Sequence, residues 1–243
     1  MNTSYDRTAL ITGASRGIGR AAAEAFAAAG YNLHLTCHSS MDELEMLAQK
    51  LISQYKISCR TVQADAGDPD AAAQLFDGID NLDVLVNNAG ISHIGLLTDM
   101  TTEQWRRVMA VNLDACFYTC RAAIPLMLKN HKGSIINVSS VWGTQGASME
   151  TAYSASKGGV NAFTKALAKE LAPSNIQVNA IACGVIDTSM NSSLSAAELA
   201  ELKTEIPADR LGTPEEAAQL ILQIAQAPGY MTGQIITMDG GWY

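Results

Sequence analysis

The sequence predicts an α/β fold: a doubly wound, seven-stranded parallel sheet with helices on both faces. Three observations predict it. Short apolar runs rich in Val, Ile and Thr recur along the chain, and segments with helical spacing separate them. The runs are continuously apolar rather than alternating, as strands covered on both faces require. Strands alternating with helices imply right-handed crossovers between parallel neighbours.

The first strand, 8–12, runs into the glycine-rich stretch GASRGIG and a helix over 17–30. A second strand at 32–36 leads to a helix at 41–55, and a third at 59–64 leads to one at 68–76. The fourth, 83–88, precedes a long helical stretch over 102–130, opened by a capping box in TTEQW with Thr101 or Thr102 leading. The fifth strand, 133–139, is followed by a helix at 152–171, and the sixth spans 176–182. A helix at 213–226 begins Thr213-Pro214-Glu215-Glu216, with proline in the first turn and acids beside it, and the seventh strand is 233–238. Only 186–207 breaks the rhythm; it reads as an irregular stretch and a mobile substrate lid. With no linker, repeat or low-complexity tract, residues 1–243 read as one domain, long enough to bury a large core.

Composition narrows the function classes. Hydrophobic residues are 48% and charged ones 16%, well away from disorder, and the net charge of −8 argues against a nucleic-acid surface. No apolar run is long enough for a membrane span, and the N-terminal MNTSYDRTALITG lacks a signal-peptide layout, so a cytoplasmic protein is expected. Cys37, Cys59, Cys116, Cys120 and Cys183 form no CxxC, and the four histidines are scattered. Neither a disulfide framework nor a metal site is expected.

Candidate chemistry begins at the first turn. Gly13, Gly17 and Gly19, with Ser15, Arg16 and Ile18 between them, follow a strand and open a helix. Such glycines let the turn tighten and let backbone N–H groups approach a pyrophosphate, so a dinucleotide site is expected. After the second strand, LHLTCHSS offers no acid for a ribose diol; Arg16 instead suits a 2′-phosphate, with His38, Ser39 and Ser40 adding hydrogen bonds. That favours NADP(H), the plainer alternative being a solvated arginine. LVNNAG ends the fourth strand, so Asn88, Ala89 and Gly90 fall at the ligand-binding edge, unless they merely form an Asn-rich turn. Asn112 lies inside a predicted helix, where the alternative is a side chain bonded to its own backbone.

Ser140 ends the fifth strand and lies ahead of Tyr153, itself one helical turn before Lys157. Reducing a ketone needs a hydride donor, a hydrogen bond to polarise the carbonyl, and a proton for the alkoxide. An ammonium near a phenol lowers its pKa, which gives Lys157 a reason to sit beside Tyr153.

Together these motifs resemble the short-chain dehydrogenase/reductase family over nearly the whole chain: Thr12-Gly13-x-x-x-Gly17-Ile18-Gly19, Asn87-Asn88-Ala89-Gly90, Asn112, Ser140 and Tyr153-x-x-x-Lys157. The resemblance implies a Rossmann-like fold, a homotetramer built on the two long helices, 102–130 and 152–171, and the C-terminal edge, and a catalytic tetrad. In it Tyr153 is the acid, Ser140 orients the carbonyl, Lys157 binds ribose and lowers the phenol's pKa, and Asn112 holds a relay water. It also implies that Asp65 and Ala66 flank the adenine, while Asn88, Ile186 and Thr188 line the cofactor. One departure is Cys183-Gly184 where the family has Pro-Gly, which leaves the following loop path open.

Within the family the chain resembles bacterial 3-oxoacyl-acyl-carrier-protein reductases. More narrowly, SSVWGTQGASMETAYSASKGG and the GGWY after the last strand resemble reductases of 5-aminopentanone-modified elongation factor P, through Trp142 and Glu150. Glu150, three residues before Tyr153, suits an amine on the substrate; as a solvated loop residue it means nothing. For acyl carrier protein, Ser174 stands where a basic docking residue is usual, while Lys129 and Lys132 remain. A non-catalytic NADP(H) sensor or scaffold of the same fold is the alternative, which the intact tetrad argues against.

Overall fold

A computed structural model of the protein describes residues 7–192 and 194–243. Residues 1–6, part of the stretch read above for a targeting signal, and residue 193 within the expected lid lie outside the described residues. Seven strands form one sheet: β1 (Thr8–Ile11), β2 (Asn32–Cys37), β3 (Cys59–Gln63), β4 (Val84–Asn87), β5 (Gly133–Ser140), β6 (Ile176–Cys183) and β7 (Ile235–Met238). Their order is β3-β2-β1-β4-β5-β6-β7, and every neighbouring pair is parallel, in the Rossmann-like arrangement. The order reverses between β1 and β4, which opens a crevice at their carboxyl ends.

Helices cover both faces. On one lie α1 (Gly17–Ala28), α2 (Met41–Tyr55) and α9 (Pro214–Ala225), packed against Ala9, Ile11, Leu33, Leu35, Val84 and Val86. On the other lie α3 (Pro69–Gln74), α5 (Ala115–Lys129) and α7 (Thr151–Leu171), packed against Leu10, Leu85, Ile135 and Val178. Alternate strand residues thus feed opposite clusters, which is why the strands carry no polar face. Phe26, Leu10 and Leu85 are fully buried, and each such burial contributes roughly 1.5–3 kcal/mol.

Two elements differ from the sequence expectation. The stretch 102–130 is split: α4 (Thr102–Met109) passes through a π-helical turn, Ala110–Asp114, into α5. Thr101 and Gln104 form the expected capping box of α4. The stretch 186–207 is not wholly irregular; it holds a 3₁₀ turn, Ser189–Asn191, and α8 (Ala196–Glu205). Ser195 and Glu198 cap α8 reciprocally, but none of its residues is buried, so it lacks the apolar stripe that would have announced it. A short α6 (Trp142–Gln145) follows β5. No helix among the described residues is long and apolar enough to cross a membrane.

At the start of α9 the expected proline and acids appear with Thr213 as cap, and Arg210 grips Glu216 through both carboxylate oxygens at 2.7 and 2.8 Å. The Arg210 hydrogen bonds and the Thr213 amide hold the Glu216 carboxyl down to about 2, from an ordinary glutamate value of 4.5. A depressed carboxylate stabilises the fold above pH 4.5, and that contribution fades as pH falls towards about 2. Glu216→Gln is therefore expected to be less stable than the wild type at pH 7, with the deficit closing on acidification. Urea melts at several pH values measure it.

Candidate active site

The crevice between β1 and β4 is built from the glycine turn and the segment after β4. Gly13 and Gly17 have φ of +65° and +55°, a region that side chains rarely adopt. A Cβ on Gly19 would stand 2.3 Å from the Gly13 carbonyl oxygen, so only glycine lets α1 approach the turn this closely. Thr12, 3% exposed, accepts the N–H groups of Asn88 and Ala89 at 3.0 Å each. The Asn88 amide donates to the carbonyls of Thr12 and Gly13 at 2.9 and 3.0 Å. Asn88 spends both its amide and its backbone N–H on bracing the glycine turn. Asn87 is buried, and its amide meets Asn137 at 2.9 Å and Thr119 at 2.7 Å.

A dinucleotide fits this cradle on its own chemistry. Arg16 occupies the N-cap of α1 in extended geometry, without a side-chain cap and with no acid in the first turn, so the first N–H groups of the helix are unspent. Arg16 is exposed, and no described residue pairs with it. Ser15 and Ile18 are half-buried in the same turn. Thr188 lies against it, since a Cβ on Gly17 would come 3.2 Å from the Thr188 methyl, and Ile186 is buried two residues earlier.

At the ends of β2 and β3, His38 and Asp65 come together, with Nε2 3.8 Å from a carboxylate oxygen; Ser39 is exposed and Ala66 half-buried. Asp65 has a partner that sequence reasoning missed: Arg107 of α4 donates to both carboxylate oxygens, at 2.9 and 2.7 Å. Burial raises the Asp65 pKa, but Arg107, the Gly67 N–H and the nearby His38 outweigh it and hold the carboxyl below its usual range. Contact between residues so far apart in the chain leaves no local sequence signal.

Beyond the crevice, Ser140, Tyr153 and Lys157 converge as expected. Ser140 is 6% exposed at the end of β5, and its hydroxyl hydrogen-bonds the Tyr153 phenol. Lys157 is 4% exposed; its Nζ donates to the Val138 carbonyl at 2.7 Å, and a Cβ on Gly90 would lie 3.6 Å from it. The lysine thus faces the dinucleotide crevice. Asn112, in the π-helical turn, is not bonded to its own local backbone. Its amide accepts the Ile91 N–H at 2.9 Å and donates to the Ile91 carbonyl at 2.9 Å and to Ser156 at 3.0 Å. Both amide donors are committed, so its side chain acts as a brace between the segment after β4 and α7.

In the protein alone, burial opposes the lowering of the phenol's pKa expected from Lys157. Burial pushes the Tyr153 pKa well above the ordinary tyrosine range; Ser140 pulls it back, while Glu150 and Cys183 push it further up. Burial likewise holds Lys157 below its usual range. Lys157 stands over the ring, 5.6 Å from its centroid, so its charge does not overcome desolvation of the phenolate. In the protein alone the phenol stays protonated at neutral pH.

Cys183 continues β6, paired with Ser140 on β5 and Met238 on β7, and Gly184 donates to the Met238 carbonyl at 2.9 Å. Without the family's proline, the sheet itself sets the path into the next loop. The Cys183 thiol is pushed up to about 12 by burial. Glu150 sits just before α7, with one carboxylate oxygen hydrogen-bonded by the Ser92 hydroxyl, another partner the sequence did not reveal. Trp142 lies half-buried at the start of α6, its N–H donating to Ser140 at 3.2 Å.

Residues 7–199 match the family model described as short chain dehydrogenase. The chain belongs to that family. It is an oxidoreductase, similar to the Bacillus subtilis (strain 168) protein described as "Uncharacterized oxidoreductase YmfI", at 40% identity over 98% of this chain and 99% of that one. It is 37% identical to the 3-oxoacyl-[acyl-carrier-protein] reductase FabG of Aquifex aeolicus, over 98% and 97% of the two chains. Among solved structures, the 3-oxoacyl-[acyl-carrier protein] reductase of Brucella melitensis superposes with a TM-score of 0.91 at 35% identity, over 98% of this chain and 91% of that one. YwfH, an NADPH dependent reductase involved in bacilysin biosynthesis, gives 0.92 at 26% identity over 98% of each chain.

Proposed function

We propose that the protein is an NADPH-dependent ketone reductase with Tyr153 as proton donor. The observation that carries this reading is the convergence of Ser140, Tyr153 and Lys157 beside Gly90, at the mouth of a dinucleotide cradle. When bound, NADPH supplies the hydride. Ser140 donates a hydrogen bond to the substrate carbonyl and fixes its orientation. Tyr153 gives its proton to the oxygen as negative charge develops there; an alkoxide is a far stronger base than a phenolate, so even a phenol with a raised pKa delivers it. Lys157 holds the ribose, Asp65 and Ala66 flank the adenine, and Ile186 and Thr188 complete the crevice wall. Asn112 fixes the segment after β4 against α7, leaving the relay water to its backbone carbonyl.

The choice of NADPH over NADH is supported by the unpaired Arg16 and the acid-free end of β2. His38 and Ser39 supply further hydrogen bonds to the 2′-phosphate. NADPH is expected to bind more tightly than NADH, and Arg16→Ala to narrow the gap by roughly 1.5–3 kcal/mol, the range for hydrogen bonds to charged groups. Fluorescence titration with both cofactors checks this. Equal affinities in the wild type would remove the basis for the assignment.

The substrate in this reading is a protein-borne ketone, met in the cytoplasm by a homotetramer. Phe117, 47% exposed on α5, supports an assembly through the long helices. The names of the Aquifex and Brucella relatives support a 3-oxoacyl thioester on acyl carrier protein, docked at the exposed Lys129 and Lys132. Glu150, hydrogen-bonded by Ser92 just before α7, and Trp142, whose backbone N–H donates to Ser140, support the other candidate, a 5-aminopentanone on elongation factor P, because a carboxylate and an aromatic face each attract an ammonium. The two separate on kcat/KM for each substrate. A preference for the modified elongation factor that Glu150→Gln weakens supports the cationic substrate; a thioester preference with a steep salt dependence supports the carrier protein.

A further inference from the structure

Three aromatic rings meet just beyond Ser140. The Trp142 ring centroid is 5.1 Å from that of Trp242 and 5.5 Å from that of Tyr243, and the last two are 4.8 Å apart. Trp142 is tied to Ser140 through its backbone N–H. None of the three is a core residue: both tryptophans are half-buried, and Tyr243 is 55% exposed. Large aromatic rings gathered at a rim rather than in a core are suited to meeting a ligand.

Their placement is specified locally. After β7 the chain turns through Gly240 and Gly241, at φ of +71° and +85°. The Asp239 carboxylate accepts the N–H groups of Gly241 and Tyr243 at 3.0 and 2.9 Å, which folds the segment back onto Trp142. The same segment holds the base of the 186–207 stretch. The Ala208 N–H donates to the Gly240 carbonyl at 3.1 Å, and a Cβ on Gly240 would stand 2.7 Å from the Ile206 side chain. The charge of Glu205, the last residue of α8, also reaches the Tyr243 phenol. One short segment thus touches both the wall next to Ser140 and the foot of α8.

We propose that Trp242 and Tyr243 are specificity-determining residues, which with Trp142 wall the cleft beyond Ser140, admit ketones with a slender arm, and anchor the foot of α8. This rests on the reductase reading. The rings act by shape: a branched or aryl arm meets the Trp142–Trp242 edge contact, whereas an extended chain passes along it. They also fix the cleft's outer wall to α8, so that loosening one loosens the other.

The test uses the full chain with NADPH and two ketones, ethyl acetoacetate and the bulkier ethyl benzoylacetate. Trp242→Ala and Tyr243→Ala are expected to raise the bulky-to-small ratio of kcat/KM by roughly 10–200-fold, the span of one apolar pocket contact, with the NADPH Kd unchanged. Trp242→Phe should keep the wild-type ratio. Amide exchange at Ala208 and Asp209 should quicken in Trp242→Ala, a change that a passive surface ring would not produce. Tyr243, being exposed, guards against a folding failure of the tryptophan variant. If the wild type reduces a ketone but both alanine variants keep its ratio, the aromatic wall is wrong and the reductase stands. If the wild type reduces neither ketone, the reductase reading falls, and this one with it.

Discussion

Tyr153→Phe is expected to lower kcat by about 10²–10⁴, the usual worth of a positioned general acid, while NADPH binds as before. The phenol lies in the first turn of α7 with Ser140 against its hydroxyl, and burial keeps it protonated. Phenylalanine preserves the packed ring and its position beside Lys157 but removes the phenolic proton. A loss confined to kcat, with the NADPH Kd unchanged, separates chemistry from damage to the crevice. Turnover near the wild-type rate would assign the proton to another group.

Gly19→Ala is expected to have the largest effect on the cradle. Its Cβ would stand 2.3 Å from the Gly13 carbonyl oxygen and 2.4 Å from the Asn88 amide nitrogen. Both atoms belong to the hydrogen bond that holds the turn to the segment after β4, so neither yields without breaking it. Overpacking of this kind costs about 1–3 kcal/mol in stability. The cofactor is expected to suffer more than the fold, because the turn that must shift is the one facing the pyrophosphate. A thermal melt and an NADPH titration measure the two effects separately. Full NADPH affinity in this variant would show that the turn is not the phosphate cradle.

The sheet was legible because each strand is a short apolar run between turn residues, and the helix expected at 41–55 is α2, Met41–Tyr55. The π-helical turn at Ala110–Asp114 was not legible, because five helical residues look alike in sequence whether the turn is α or π. α8 was missed for want of a buried stripe, although Ser195 and Glu198 spell a capping box. At the site, residue types and spacing identified Ser140, Tyr153 and Lys157, but not their surroundings. The sequence pairs a phenol with an ammonium; only the fold reveals that burial outweighs that pairing. The destination of the Asn88 amide, the Arg107 grip on Asp65 and the Ser92 bond to Glu150 are long-range contacts, which no local pattern encodes.

The central claim, hydride transfer to a ketone, is tested most directly by isotope tracing. The full chain is incubated with NADPH deuterated at the transferable position and a simple ketone such as ethyl acetoacetate, and the product is examined by mass spectrometry. The account predicts an alcohol carrying one deuterium on its carbinol carbon, formed by the wild type and almost absent with Tyr153→Phe. Recovery of unreacted ketone from wild-type protein shown to have NADPH bound would contradict it and leave a cofactor-binding protein without this chemistry.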